Sequence, residues 1–213
     1  MAIFDACKSA SARLNGSTLS SFFGNTDKFA TEIAELANET AVDIAKGHDW
    51  QALKTLGVFT GNGVDTEFSL PADFDRFISG VEMYAEWLNR PLCRVRDEYD
   101  WLTPINISYS WGRLGDKIKF STPLPNAAEV KFYYITNKIF KDTSGTAKIA
   151  AAVDSDTPRI PERPIMLGLI WRWRQMKRLE YAEDMSSAEI ALHRAIAHDK
   201  DGGMIRLGRG SRI

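Results

Sequence analysis

PIMLGLIWRWRQMKRLEYAEDM, residues 164–185, is the stretch on which the fold turns. Ile165, Leu169, Trp173, Met176 and Leu179 recur at spacings of four, four, three and three. That is one apolar face of a 3.6-residue helix, and it predicts a helix over 165–182. Pro161 and Pro164 precede and open it, where the first N–H groups have no intrahelical partner to lose. Leu167 and Trp171 lie off this stripe, so a second face is apolar too. A helix apolar on two sides packs on two sides, here against its own domain and against something else. Leu167, Trp171, Arg172, Arg174 and Arg178 are the candidate contact residues of that second face. The arginines admit a plainer reading, a solvated face whose stems cover the tryptophans. Trp and Arg are also the residues most enriched at interface hot spots. A nucleic-acid surface is a third reading, opposed by the absence of a recognition-helix pattern.

Beyond this helix, Ser186-Ser187-Ala188-Glu189 has the form of a capping box, and it predicts a last helix that Asp201-Gly202-Gly203 stops. The remaining MIRLGRGSRI, residues 204–213, carries Arg206, Arg209 and Arg212 and no acid. With Met204, Ile205, Leu207 and Ile213 interspersed, it reads as an extended basic tail that orders on binding a partner. At the other end, Ile3, Cys7, Ala10 and Leu14 predict a short helix closed by Gly16. A second helix follows Asn25 or Thr26 as cap, with Phe29, Ile33, Leu36, Ala37, Thr40 and Ile44 as its stripe and Gly47 as its end. Trp50 anchors the chain beyond it.

From about residue 56 the period changes to two. Strands are expected on both sides of Gly61-Asn62-Gly63 as a hairpin, over 77–87 and 92–95 around Asn89-Arg90-Pro91, over 111–114 and 117–120 around Gly115-Asp116, and over 130–136. Residues 141–163 read as a polar connection, partly helical at 147–152. The expected class is therefore α+β. It comprises N-terminal helices (1–55), an inserted antiparallel β region (56–140), C-terminal helices completing one bundle (141–200) and an extended tail (201–213).

At 213 residues, 44% hydrophobic and with net charge −1, the chain can bury a real core and is not a nucleic-acid or membrane binder by charge. Its two cysteines, Cys7 and Cys93, have no paired spacing, so both are expected reduced and buried. The N-terminus lacks the basic and apolar regions of a signal peptide, and the longest apolar run falls far short of the roughly 20 residues a bilayer needs, so no membrane role is expected. No P-loop, dinucleotide fingerprint or GxSxG elbow occurs. His193 and His198 are five apart, off the i, i+4 pairing of a metal site. Asp154-Ser155-Asp156 is expected to be a solvated turn. No catalytic, metal or cofactor residue is assigned.

Ala37-Asn38-Glu39, the run from His48 to Leu53, the run from Phe68 through Leu70-Pro71-Ala72-Asp73-Phe74-Asp75-Arg76, and Asn89-Arg90-Pro91-Leu92 occur in an order and spacing that resembles the head-to-tail adaptor (connector) proteins of tailed bacteriophages. Asp156-Thr157-Pro158-Arg159-Ile160-Pro161-Glu162, then Gly168 and Trp171-Arg172, extend the similarity, which spans about residues 30–175 and leaves 199–213 uncovered. The resemblance implies a structural virion protein made in the host cytoplasm, not an enzyme, with no cofactor. It implies a homo-oligomeric ring, usually of about twelve copies, below the portal. The ring extends the channel for genomic DNA without reading its sequence, and joins the next neck or tail protein. It implies that the tail residues Met204, Ile205, Arg206, Leu207, Arg209, Arg212 and Ile213 meet the portal, and that the second face of the Trp-rich helix meets a neighbouring subunit. Another phage neck or tail-completion protein is the alternative. A cytoplasmic enzyme of unrecognised class comes after it.

Overall fold

The computed structural model describes residues 2–16, 18–80, 82–95, 101 and 109–200. The chain forms two compact units: one from the residues up to Leu53 together with those from Lys138 on, the other from Lys54–Asn137. Four helices and antiparallel sheets make the class α+β.

The β unit is built on its last strand. It contains β1 (Lys54–Thr60), β2 (Glu67–Ser69), β3 (Phe74–Phe77), β4 (Tyr84–Ala85), β5 (Arg90–Pro91), β6 (Trp111–Leu114), β7 (Lys117–Phe120) and β8 (Glu129–Thr136). Val130, Phe132 and Tyr134 alternate along β8 and are all buried, as period two requires. β8 pairs along its whole length with β1, from Lys54↔Ile135 to Thr60↔Glu129, and on its other side with β3 and β4. A second sheet has the order β2-β7-β6. The two sheets share one aromatic core, in which Phe59 stacks on Phe132 at 4.7 Å and Phe68 meets Phe120 edge-on at 5.6 Å. Opposite Phe132 only glycine fits, because a Cβ on Gly57 would lie 2.4 Å from the ring. Asp73 accepts from the hydroxyls of Tyr134 and Thr136, each at 2.8 Å, and ties the Leu70–Arg76 run to β8.

The expected hairpin around Gly61-Asn62-Gly63 is not formed. β1 pairs with β8 and β2 with β7, while Gly61 N–H donates to Ala128 at 2.8 Å and Gly63 N–H to Leu124 at 2.9 Å. Seven residues of β1 pair with β8 and the three of β2 pair with β7, so long-range partners replace the local turn. The single strand expected over 77–87 is broken at Gly80, whose φ is 75°. At 92–95 there is no strand either: Asn89 turns left-handed and the short β5 lies at Arg90–Pro91. The Gly115 hairpin between β6 and β7 forms as expected.

The other unit holds α1 (Ile3–Asn15), α2 (Lys28–Gly47), α3 (Glu162–Met176) and α4 (Ala182–Asp199). It also holds a small sheet in which β9 (Phe140–Lys141) lies between β10 (Ala147–Lys148) and β11 (Thr157–Pro158), where a partly helical connection was expected. Asp27, not Asn25 or Thr26, caps α2, with Oδ1 3.0 Å from the Ala30 amide. Trp50 is buried and its Nε1 donates to the Ile44 carbonyl at 2.9 Å, satisfying an orphan acceptor near the end of α2.

Asp154 and Asp156 overturn the solvated-turn expectation. Asp154 accepts from the amides of Phe22 and Phe23 at 3.0 and 3.1 Å. Asp156 is fully buried and accepts from Lys148 Nζ at 2.7 Å and from the Ala152 and Val153 amides at 2.7 and 3.1 Å. A carboxylate with acceptors to spare organises backbone that has no ladder of its own. Cys93 likewise departs from expectation and is exposed. Cys7 is buried, and burial pushes its thiol up to about 12, which makes it inert as a nucleophile.

Candidate interaction surface

α3 packs against α1, α2 and α4. Its first half is buried nearly all round: Ile165, Leu167, Gly168, Leu169 and Ile170 all lie inside the unit. Fully burying each aliphatic side chain contributes about 1.5–3 kcal/mol. Gly168 faces Thr40 of α2, and a Cβ there would come 2.5 Å from Thr40 Cγ2. The helix does not reach residue 182. It ends at Met176, Lys177 caps it, and Arg178 turns left-handed with φ 56° while the Leu179 amide bonds back to the Arg174 carbonyl at 2.9 Å. The expected stripe therefore fails at its end, where Met176 is 47% and Leu179 52% exposed. Nor does Ser186 open α4. The helix begins at Ala182 with Glu183 and Asp184 in its first turn, favourable charges beside the N-terminal dipole.

The second half of α3 carries the basic and aromatic residues, and most are engaged within the unit. Arg172 pairs with Asp43 at 2.7 Å and Glu39 at 3.6 Å, and its guanidinium lies 5.0 Å from the Trp171 ring centre. Arg174 pairs with Asp184 at 2.6 Å. Glu32 receives both Lys177 at 2.7 Å and Trp173 Nε1 at 3.2 Å, and Phe29 meets the Trp173 ring edge-on. Arg178 is exposed and makes no ion pair among the described residues. Three of the four cations are thus neutralised, which weakens the reading as a phosphate surface. The acids that pair with Arg172 and Lys177, namely Glu32, Glu39 and Asp43, recur at helical spacing along one side of α2, while Arg174 turns to Asp184 of α4. That recurrence was the signal in the sequence for where Arg172 and Lys177 go. Leu167 is held in the interior, Trp171 is half-buried, and the tail residues Met204 to Leu207, Arg209, Arg212 and Ile213 lie outside the described residues.

Beside Trp171 a groove of about 270 Å³ runs between α2, α3 and α4. Ile44, Met185, Ala188 and Leu192 give it an apolar lining, and Asp43 and Glu189 stand in its wall. Thr40, almost wholly buried, also lines it, and its hydroxyl has no hydrogen-bond partner among the described residues. The sequence reading missed this groove because its walls come from three helices. A larger hollow of about 600 Å³, bordered by Arg163, Arg194 and His198, lies between the start of α3 and the end of α4. Among the described residues no group of His, Cys, Asp and Glu could hold a metal ion, and no helix is long and apolar enough to cross a membrane.

A protein-family model described as SU10 adaptor protein matches residues 4–208, nearly the whole chain. No curated protein matches it.

Proposed function

This chain belongs to the SU10 adaptor protein family of bacteriophage structural adaptors, and on that premise we propose that it forms the ring joining portal to neck. The observation that carries the reading is the family match from residue 4 to residue 208. In this reading α1–α4 form one bundle that makes the ring wall, about twelve copies closing by rotation. A closing ring contact is heterologous, so each subunit needs two different adhesive faces. Trp171 and Arg178 offer the accessible part of one such face, with Leu167, Arg172 and Arg174 fixing the helix behind them. The tail from about Gly202 engages the portal, the β unit meets the next neck or tail protein, and genomic DNA passes the lumen without sequence-specific contacts. The near-neutral charge supports that passage, since a strongly basic groove would hold DNA and make its release salt-dependent.

Native mass spectrometry of the protein with a candidate portal ring tests this. The expected product is a portal carrying about a dozen copies. Removing residues 202–213 is expected to abolish joining while the helical signal in circular dichroism stays unchanged. A chain that stays monomeric and leaves the portal bare would point to another position in the neck.

A further inference from the structure

β1 is the last strand on its side of the larger sheet, with β8 on one flank and no strand on the other among the described residues. Gly61, next along the chain, donates its N–H to Ala128 at 2.8 Å and accepts from the Ala127 amide at 2.9 Å, so both of its backbone groups face the β8 side. Backbone groups change sides from one residue to the next along a strand. Thr55, Gly57 and Phe59 therefore face β8, and Lys54, Leu56, Val58 and Thr60 turn their N–H and C=O groups outward. None of these four has an outward backbone partner among the described residues. Natural sheets blunt such edges with proline, a bulge or an inward-pointing charge. β1 has no proline, pairs with β8 without a register shift, and sets Thr55, Gly57 and Phe59 on its core face. Its solvent face is apolar: Leu56 is 49% and Val58 44% exposed, and Tyr133, opposite Leu56 on β8, is exposed too.

We propose that β1 pairs with β1 of a second copy of this chain, antiparallel across a twofold axis. The strand is self-complementary in the register that uses all four outward residues. Leu56 then lies opposite Val58 of the second copy, and Lys54 opposite its Thr60, each pair occurring twice. Opposed pairs of this kind exchange two hydrogen bonds each, about eight in all. The Leu56–Val58 pairs join the two exposed apolar faces, and apolar cross-strand pairs stabilise a sheet. Charge agrees. Thr60 has Glu129 opposite it in its own ladder, so Lys54 of one copy shares a face with Glu129 of the other, two strand spacings or roughly 10 Å away. No like charges oppose each other in this register. A twofold contact uses up both edges and stops at a dimer, whereas a ring contact is heterologous. The dimer is thus a form of the chain outside the ring, and the inference goes beyond the ring reading without resting on it.

Sedimentation velocity of the full chain without portal tests this, so its failure would leave the ring reading standing. The parent is expected to pass from monomer to dimer as concentration rises, and to stop there. Leu56→Lys with Val58→Lys sets lysine opposite lysine twice and is expected to weaken the dimer about tenfold. Leu56→Lys with Val58→Glu sets lysine opposite glutamate and is expected to return its affinity to within about threefold of the parent. A parent that stays monomeric at about 100 μM would overturn the proposal. So would one that assembles no better than the double-lysine chain. If that variant fails to fold by circular dichroism, residue-resolved hydrogen exchange of the parent decides. On concentration the Leu56, Val58 and Thr60 amides are expected to slow about tenfold, while those of Gly57 and Phe59, already bonded to β8, do not change. Outward amides whose exchange ignores concentration would leave this edge to a foreign strand and sink the proposal.

Discussion

The carboxylate of Asp156 joins β10, through Lys148, to the backbone that leads into β11. Burial opposes its ionisation, but the Lys148 ammonium and the two amides outweigh burial and hold its carboxyl below the usual value of 3.8. A carboxyl whose folded pKa lies below its unfolded one stabilises the fold above the unfolded value and loses that contribution as pH falls through the folded value. Asp156→Asn is therefore expected to cost roughly 3 kcal/mol at pH 7 in urea unfolding, with the gap from the parent closing below about pH 4. A gap that stays constant down to pH 2 would mean the carboxylate charge is not what holds this segment. In the sequence, Asp154-Ser155-Asp156 looked like any polar turn, because its partners are backbone amides that side-chain patterning does not reveal.

At the scale of elements, α3 was legible in its first half and not in its second. Its buried positions are marked by Ile165, Leu169 and their neighbours, but the end depends on Arg178 taking a left-handed conformation that arginine rarely adopts. The same limit hid the pairing of β1, since alternation says that a strand exists and not which strand it joins. Gly168 gives this element its testable point. Gly168→Ala would ordinarily favour a helix by about 1 kcal/mol. Here the added methyl meets Thr40, whose branched side chain has little rotamer freedom, so a net loss of about 1–3 kcal/mol in thermal or urea unfolding is expected. A more stable Gly168→Ala protein would show that α2 and α3 can separate without cost.

Across the whole molecule, the helical unit is discontinuous in sequence: α1 and α2 precede the β unit, and α3 and α4 follow it. The change from helical to alternating period made that order legible. The groove was not, because its walls are assembled only when three helices meet. The β unit begins and ends on neighbouring strands, with Lys54 opposite Ile135 in the β1–β8 ladder, so its two ends leave side by side, about 5 Å apart across an antiparallel pair. Replacing residues 54–137 by a short Gly/Ser linker is expected to leave α1–α4 folded, with the helical circular-dichroism signal retained and a cooperative melt. A molten product would show that the inserted residues supply part of the helical core. The discontinuity also sets an order of events during synthesis. The apolar sides of α1 and α2 leave the ribosome roughly a hundred residues before α3, a wait of about 5–20 s at ordinary elongation rates. The β unit, contiguous in the chain, can complete its core within that interval. Nascent α1 and α2 stay uncovered longest, and they are where a chaperone would find this protein.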